Sequence, residues 1–80
     1  MHEWGITQEA IDEVIKIANK NGVSKVTRVS LSVGEDDHLT PDAIKLCFEC
    51  LGKGTMVERS ELEIKKGDGQ GITIEVVEGE

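Results

Sequence analysis

The stretch VTRVSLSV, residues 26–33, decides the fold because apolar and polar side chains alternate along it. Alternation with a period of two is typical of a strand that has one buried and one solvated face. We expect Thr27, Val29, Leu31 and Val33 on the buried face and Arg28, Ser30 and Ser32 on the other. Such a strand needs a second layer to cover its apolar side.

A helix is predicted before this strand, from Trp4 to about Lys20. Its apolar residues recur at helical spacing: Trp4, Ala10, Ile11, Val14, Ile15 and Ala18. Thr7 is a candidate N-cap, although Trp4 on the apolar stripe favours an earlier start. Asn21 and Gly22 end the helix, since glycine readily adopts the left-handed conformation beyond the last turn.

A second helix is predicted after a polar loop at residues 34–39. Thr40 is its N-cap and Pro41 its first helical residue, a combination that favours helix initiation. Its buried stripe follows the i, i+3, i+4, i+7 pattern: Ile44, Cys47, Phe48 and Leu51. The glycines of residues 52–54 end it, and residues 55–59 carry no clear pattern.

Two further strands are predicted on either side of the glycine-rich residues 67–71. The residues expected to face inward are Leu62 and Ile64 in the first strand and Ile72, Ile74 and Val76 in the second, with Thr73 and Glu75 outward. A short polar segment with three glycines is typical of a turn, so an antiparallel hairpin is expected.

The predicted fold is therefore α/β (α+β) with element order α-β-α-β-β. Two helices with one apolar stripe each pack on one face of a three-stranded sheet, which gives two layers. The first two strands, joined through a helix, are expected to be parallel with a right-handed crossover. The open edges of so small a sheet favour homodimer formation or binding of another protein.

Composition restricts the function. The 80 residues form one domain of net charge −7 and pI ≈ 4.7, which argues against binding to nucleic acid or an anionic membrane. No apolar run reaches spanning length and no signal peptide is evident, so we expect a cytoplasmic protein with two reduced cysteines. The sequence contains no nucleophile–base pair and no phosphate-binding loop, so no enzymatic activity is expected.

The N-terminal tripeptide Met1-His2-Glu3 contains the clearest metal chemistry of the chain. It combines an α-amine, an imidazole, a carboxylate and the intervening amide nitrogens, which can close five- and six-membered chelate rings. Nitrogen-rich tetragonal sites suit Ni(II) or Cu(II) better than Zn(II), which prefers tetrahedral Cys and His ligands. The alternative is that the tripeptide occurs by chance and Glu3 is an ordinary acid at a helix N-terminus.

Several stretches in sequence order resemble the HypA family of nickel metallochaperones. The similarity lies in five stretches: residues 1–4; residues 26–29 with 33–35; Pro41 with Ile44, Phe48 and Glu49; residues 54–58 with 62–64; and residues 72–77. It implies a nickel-binding domain whose ligands come from the N-terminus, which here means Met1, His2 and Glu3. It also implies delivery of Ni(II) to a HypB-type GTPase, to the large subunit of [NiFe]-hydrogenase and, in some bacteria, to a urease accessory protein.

The resemblance also implies a zinc-binding lobe with paired Cys-x-x-Cys motifs, and this chain lacks that site. Only residues 67–71 stand where the lobe is expected, so the chain reads as one nickel-binding domain over residues 1–80. An alternative function is a docking or scaffold module of the maturation pathway, which binds a protein partner and transfers no metal itself.

Two other groups of potential metal ligands are better explained as structural residues. Cys47 and Cys50 form one Cys-x-x-Cys pair, but Cys47 falls on the buried helix stripe and two thiolates cannot close a tetrahedral site. The cluster Asp36-Asp37-His38 is interpreted as a solvated loop before the helix cap, with His38 as a less favoured supplementary nickel ligand.

Overall fold

The computed structural model describes residues 2–34 and 39–80, and of His2 it describes the backbone alone. Within these residues the elements are α1 (His2–Lys20), β1 (Val26–Gly34), α2 (Pro41–Leu51), β2 (Glu61–Gly67) and β3 (Ile72–Gly79). The predicted order α-β-α-β-β is therefore confirmed.

The sheet has the order β2-β1-β3, with β1 parallel to β2 and antiparallel to β3. Helix α1 packs against β3 and α2 against β2, and the two helices contact each other. The predicted two-layer arrangement is confirmed. The core between the layers is formed by fully buried side chains from every layer: Ile11, Val14, Ala18, Val26, Val29, Leu31, Val33, Leu39, Ile44, Phe48 and Val57.

The predicted hairpin between the last two strands is wrong. Strands β2 and β3 lie on opposite sides of β1, and the connecting residues 68–71 cross over the end of β1. The crossing passes so close to Gly34 that a Cβ atom there would overlap the Gly69 carbonyl oxygen and lie 2.7 Å from the Gln70 Cα. The Gly34 amide also donates a hydrogen bond of 2.8 Å to the Gly71 carbonyl.

Two irregularities in the β1–β3 pairing change which side chains face the core. Between Val26 and Arg28 the register shifts, so Val26 is buried and Thr27 is exposed, opposite to the prediction for Thr27. A second shift sets Ser30 opposite Val76 and Leu31 opposite Ile74. In β3 it is consequently Val77 that packs against the core, where the alternation predicted Val76.

Helix α1 begins earlier than its Thr7 cap candidate, as the position of Trp4 suggested. Thr7 lies inside the helix, fully buried, and its hydroxyl donates to the Glu3 carbonyl one turn earlier. Trp4 was predicted on the apolar stripe, but it is 44% exposed. Trp4 therefore lies outside the buried stripe of α1.

Helix α2 agrees with its prediction at both ends. The Thr40 hydroxyl accepts a hydrogen bond of 3.2 Å from the Ala43 amide, and Pro41 occupies the first turn. The helix ends at Leu51 and is capped by Gly52, whose amide donates to the Phe48 carbonyl. Residues 52–60, most of which the sequence left open, form consecutive turns that bury Val57 against the core and hold Arg59 at φ 65°.

The second face of the sheet carries charged side chains. Arg28 lies between Glu63 and Glu78 at 3.4 and 3.5 Å, and Lys65 reaches across β1 to Glu75 at 3.1 Å. Because these side chains are 35–61% exposed, the pairs add little to stability. In residues 2–34 and 39–80, no helix has the length and hydropathy needed to cross a membrane.

Candidate metal centre

The start of α1 supplies the backbone of the candidate nickel site. Because the helix begins at His2, the amides of His2 and Glu3 belong to its first turn. The first four amide groups of an α-helix have no carbonyl acceptor within the helix. The nitrogen atoms that a metal chelate would use are thus outside the helical hydrogen-bond ladder.

Thr7 fixes the geometry of this first turn. Its hydroxyl donates a hydrogen bond of 2.6 Å to the Glu3 carbonyl, and its side chain is completely buried. Glu3 itself is half-buried. A buried anchor one turn below the terminus holds the Glu3 peptide group against the folded domain, in contrast to the fraying usual at a chain end.

The first turn of α1 lies at the end of the molecule where β1 ends and β3 begins. Ile6, at the end of that turn, lines one groove together with Gly71 and Ile72. The last turn of α1 leads through residues 21–25 directly into the other end of β1. The helix start, the crossing segment 68–71 and Gly34 therefore share one end of the fold.

The structure describes only part of the predicted ligand set. Met1 and His38 lie outside the described residues, and for His2 only the position in the helix is known. Glu3 is placed in the first turn as expected. In the portion of the chain that the structure describes, no three His, Cys, Asp or Glu side chains are grouped closely enough to hold a metal ion.

The cysteines agree with the structural interpretation. Cys47 is buried on the core side of α2, Cys50 is exposed, and both are free thiols. The prediction that Cys47 packs as a small apolar residue is confirmed.

Sequence reasoning missed the role of Thr7. Thr7 was a reasonable N-cap candidate, because a threonine hydroxyl forms hydrogen bonds with the backbone both at an N-cap and inside a helix. The signal available was the apolar Trp4 before it, together with Glu3 at i−4, the position whose carbonyl an interior threonine bonds. A cap would instead have used the hydroxyl as an acceptor.

Comparison with known proteins identifies the class. Residues 1–72 match a family described as "Hydrogenase/urease nickel incorporation, metallochaperone, hypA". The chain belongs to this HypA family. The family is one of metallochaperones, which agrees with the expectation that the chain is not an enzyme.

Similar proteins from other organisms agree with this assignment. The chain is 37% identical over 71 residues to the hydrogenase maturation factor HypA of Rhizobium leguminosarum bv. viciae, covering 89% of this chain and 63% of the relative. It is 38% identical over 69 residues to that of Methanopyrus kandleri, covering 84% and 49%. The chain thus spans about half to two thirds of the length of these relatives.

The fold itself is that of a solved family member. The solution structure of the Ni metallochaperone HypA from Helicobacter pylori superposes with a TM-score of 0.82 at 14% identity, covering 95% of both chains. A second structure, "Solution structure of HypA protein", gives 0.63 at 24% identity over 85% of this chain and 56% of its own. The sequence match to the family stops at Ile72, the first residue of β3.

Proposed function

We propose that this chain binds Ni(II) through its N-terminus and delivers it for the maturation of [NiFe]-hydrogenase, and in some organisms of urease. The observation that carries this proposal is the start of α1 at His2 in a chain of the HypA family. This start attaches consecutive nitrogen donors to a packed helix.

The proposed ligands are Met1, His2 and Glu3. The His2 Nδ1 atom and the His2 amide nitrogen belong to the same residue, so both can bind one metal in a single chelate ring. The Met1 amine and the Glu3 amide nitrogen extend the ring system on either side. Nitrogen ligands in this tetragonal arrangement favour Ni(II) over Zn(II).

The electrostatics of the site favour a bound cation only when the backbone amide nitrogens that ligate it are deprotonated. The N-terminal end of a helix carries a partial positive charge that disfavours a metal ion. Each deprotonated amide adds a negative charge, and Glu3 adds another close by. The Glu3 carboxylate therefore stabilises the bound metal electrostatically, while its amide nitrogen serves as the ligand.

The proposed partners follow from the family. A HypB-type GTPase receives the nickel in the cytoplasm, and the large subunit of [NiFe]-hydrogenase is its destination, with a urease accessory protein as the second route. Nickel is the cargo of this chain. Residues 67–71 occupy the place that the family resemblance assigns to a zinc lobe, so zinc has no part in the proposed function of this domain.

Nickel titration of the untagged protein tests the site. We expect the natural chain to bind one Ni(II), with a d–d absorption spectrum that reports its coordination geometry. His2→Ala and the N-acetylated chain should each lose this binding, because each removes one nitrogen donor. Glu3→Gln should retain the spectrum with weaker affinity, because its amide nitrogen is preserved.

His38→Ala is the matched control for His2→Ala. Equal binding by the natural, His2→Ala and acetylated chains would overturn the N-terminal site. If His38→Ala lost nickel binding to the same extent as His2→Ala, the N-terminus would not be sufficient to hold the metal.

A further inference from the structure

A groove runs between α1 and the outer edge of β3. It measures about 620 Å³, and its floor is apolar, with Ile6, Ala10 and Ile17 from α1 and Ile72 and Ile74 from β3. The four isoleucines are only partly buried. The groove thus exposes apolar surface that the domain does not cover in the part of the chain the structure describes.

The groove follows the edge of the strand. Three consecutive residues of β3, Ile72, Thr73 and Ile74, line it. Successive side chains of a strand point to opposite faces, so consecutive residues line one groove only along an edge. Strand β3 has a single neighbour, β1, in the described sheet. An edge of this kind is a template for an additional strand.

The charge of the rim selects the occupant. Glu9 and Glu13 line the groove from α1, and both are exposed. Within residues 3–34 and 39–80, neither forms an ion pair. No lysine or arginine lines the groove among the described residues. Among the described residues, the charged side chains of the rim are therefore acidic, and they lie above an apolar floor.

From this geometry we infer that the groove binds an extended segment of a partner protein that carries alternating apolar and basic side chains. The segment adds to β3 as a fourth strand, in the mode known as β-augmentation. Its apolar side chains cover Ile6, Ile17 and Ile74, and its lysines or arginines lie over the apolar floor and reach Glu9 and Glu13.

A second copy of this chain fits the groove less well. Each copy has a net charge of −7, and the groove of each copy is lined by the acidic residues Glu9 and Glu13. Pairing two β3 edges would bring acidic side chains of both copies together without new cations. Like charges placed opposite each other across strands are destabilising.

This inference rests on the proposed function in one respect. The groove begins at Ile6, one turn from His2, so a partner seated in it lies beside the proposed nickel site. We infer that the occupant belongs to the protein that exchanges nickel with this chain. The docking step itself needs no metal.

A peptide titration tests the groove with defined probes. The peptide VVKKVVKKVV alternates apolar and basic side chains on each face, and VVEEVVEEVV has the same pattern with the opposite charge. In ¹H–¹⁵N spectra of the metal-free protein, the basic peptide should shift the amides of residues 72–74 and of α1 from Ile6 to Ile17. The acidic peptide should produce no such shifts.

The double variant E9Q/E13Q should weaken binding of the basic peptide about tenfold, the loss of about 1.4 kcal/mol expected from two exposed ion pairs. The matched control E49Q/E58Q makes the same change in net charge at exposed glutamates outside the groove. It should retain the affinity within about twofold. Equal weakening in both variants, shifts centred on β2, or equal binding of the acidic peptide would overturn the inference.

The same titration in His2→Ala separates this inference from the nickel proposal. Unchanged peptide binding with loss of nickel binding is expected, because the groove and the metal ligands are different residues. Nickel binding by a chain that fails to bind the basic peptide would overturn the groove alone. Peptide binding by a chain that fails to bind nickel would overturn the metal site alone.

Discussion

A single hydroxyl shows how one residue supports the proposed site. The Thr7 hydroxyl donates a hydrogen bond of 2.6 Å to the Glu3 carbonyl, and the Thr7 side chain is fully buried. The bond ties the terminal turn, which would otherwise have few contacts, to a buried position of the same helix. The turn that contains Glu3, one of the proposed ligands, is thereby connected to the core through Thr7.

Gly5 offers a stability test at this scale. It lies inside α1, and an added Cβ would meet no atom within 4 Å. Gly5→Ala should stabilise the protein by about 0.5–1 kcal/mol, because alanine loses less backbone entropy than glycine in a helix. Urea denaturation would measure the change.

Gly54→Ala is the control for that measurement. Its site is equally open, but its φ of 79° is one that alanine adopts only with strain. It should destabilise the protein by about 1 kcal/mol. If both variants were more stable, the free space around the added Cβ, and not the backbone conformation, would determine the effect of alanine at these two positions.

At the scale of the elements, the sequence was sufficient for the helices and the strand positions. The cap at Thr40 and the stripe that contains Ile44 and Phe48 are local patterns, and local hydrogen bonds and packing enforce them. The early start of α1 was indicated by Trp4, an apolar residue that precedes the Thr7 cap candidate. Local rules therefore predicted which elements form.

Strand neighbours were beyond the same rules. Four residues between Gly67 and Ile72 suit both a hairpin and a crossing, because both need glycines and neither changes the alternation of the strands. The outcome depends on which strand gains most from the central position. Strand β1, with Val26, Val29, Leu31 and Val33 all fully buried, takes it.

The candidate metal site likewise combines features that local sequence patterns predict with features that depend on tertiary structure. The helix at the proposed site follows from local spacing and was predicted from the residues, while the tripeptide ligands stay a prediction from local chemistry. Whether the loop that contains His38 contributes a ligand depends on tertiary distances that no local pattern encodes. The bulge that exchanges Val76 for Val77 likewise reflects pairing with β1 and leaves no mark on the alternation.

Gly34→Ala tests the crossing. A Cβ atom at this position would overlap the backbone of Gly69 and Gln70, which cannot rotate away as a side chain could. The variant should lose about 2–3 kcal/mol of unfolding free energy, as expected for overpacking of a rigid site. Its amide spectrum should change at residues 68–71, and a loss no larger than that of Gly54→Ala would contradict the close approach.

At the scale of the whole molecule, the two ends of the described chain lie far apart. Helix α1 has 19 residues, a length of about 28 Å at 1.5 Å per residue, and His2 is at the end of the helix away from the turn at residues 21–25. The last residue, Glu80, pairs instead with the turn after the helix, accepting from Ser24 at 2.7 Å and donating to Lys25 at 2.9 Å.

The separation of these ends predicts how fusion partners behave. A peptide tag without histidine fused after Glu80 should leave nickel affinity unchanged within about twofold, because it lies about 28 Å from the proposed ligands. The same tag fused before Met1 should abolish binding, because it converts the amine into an amide. Nickel titration of both fusions provides the measurement, and equal affinity in the two would contradict a site at the amine.

The pairing of β1 with β3 also determines when the domain can form during its synthesis. Val26 pairs with Gly79, and each paired β1 residue in that ladder has a partner 39 to 53 positions later in the sequence. Such distant contacts are formed slowly, since a long loop must close before they contribute. All residues up to Gly79 must therefore leave the ribosome before the central strand acquires its complete second neighbour, while helix α1 has emerged long before.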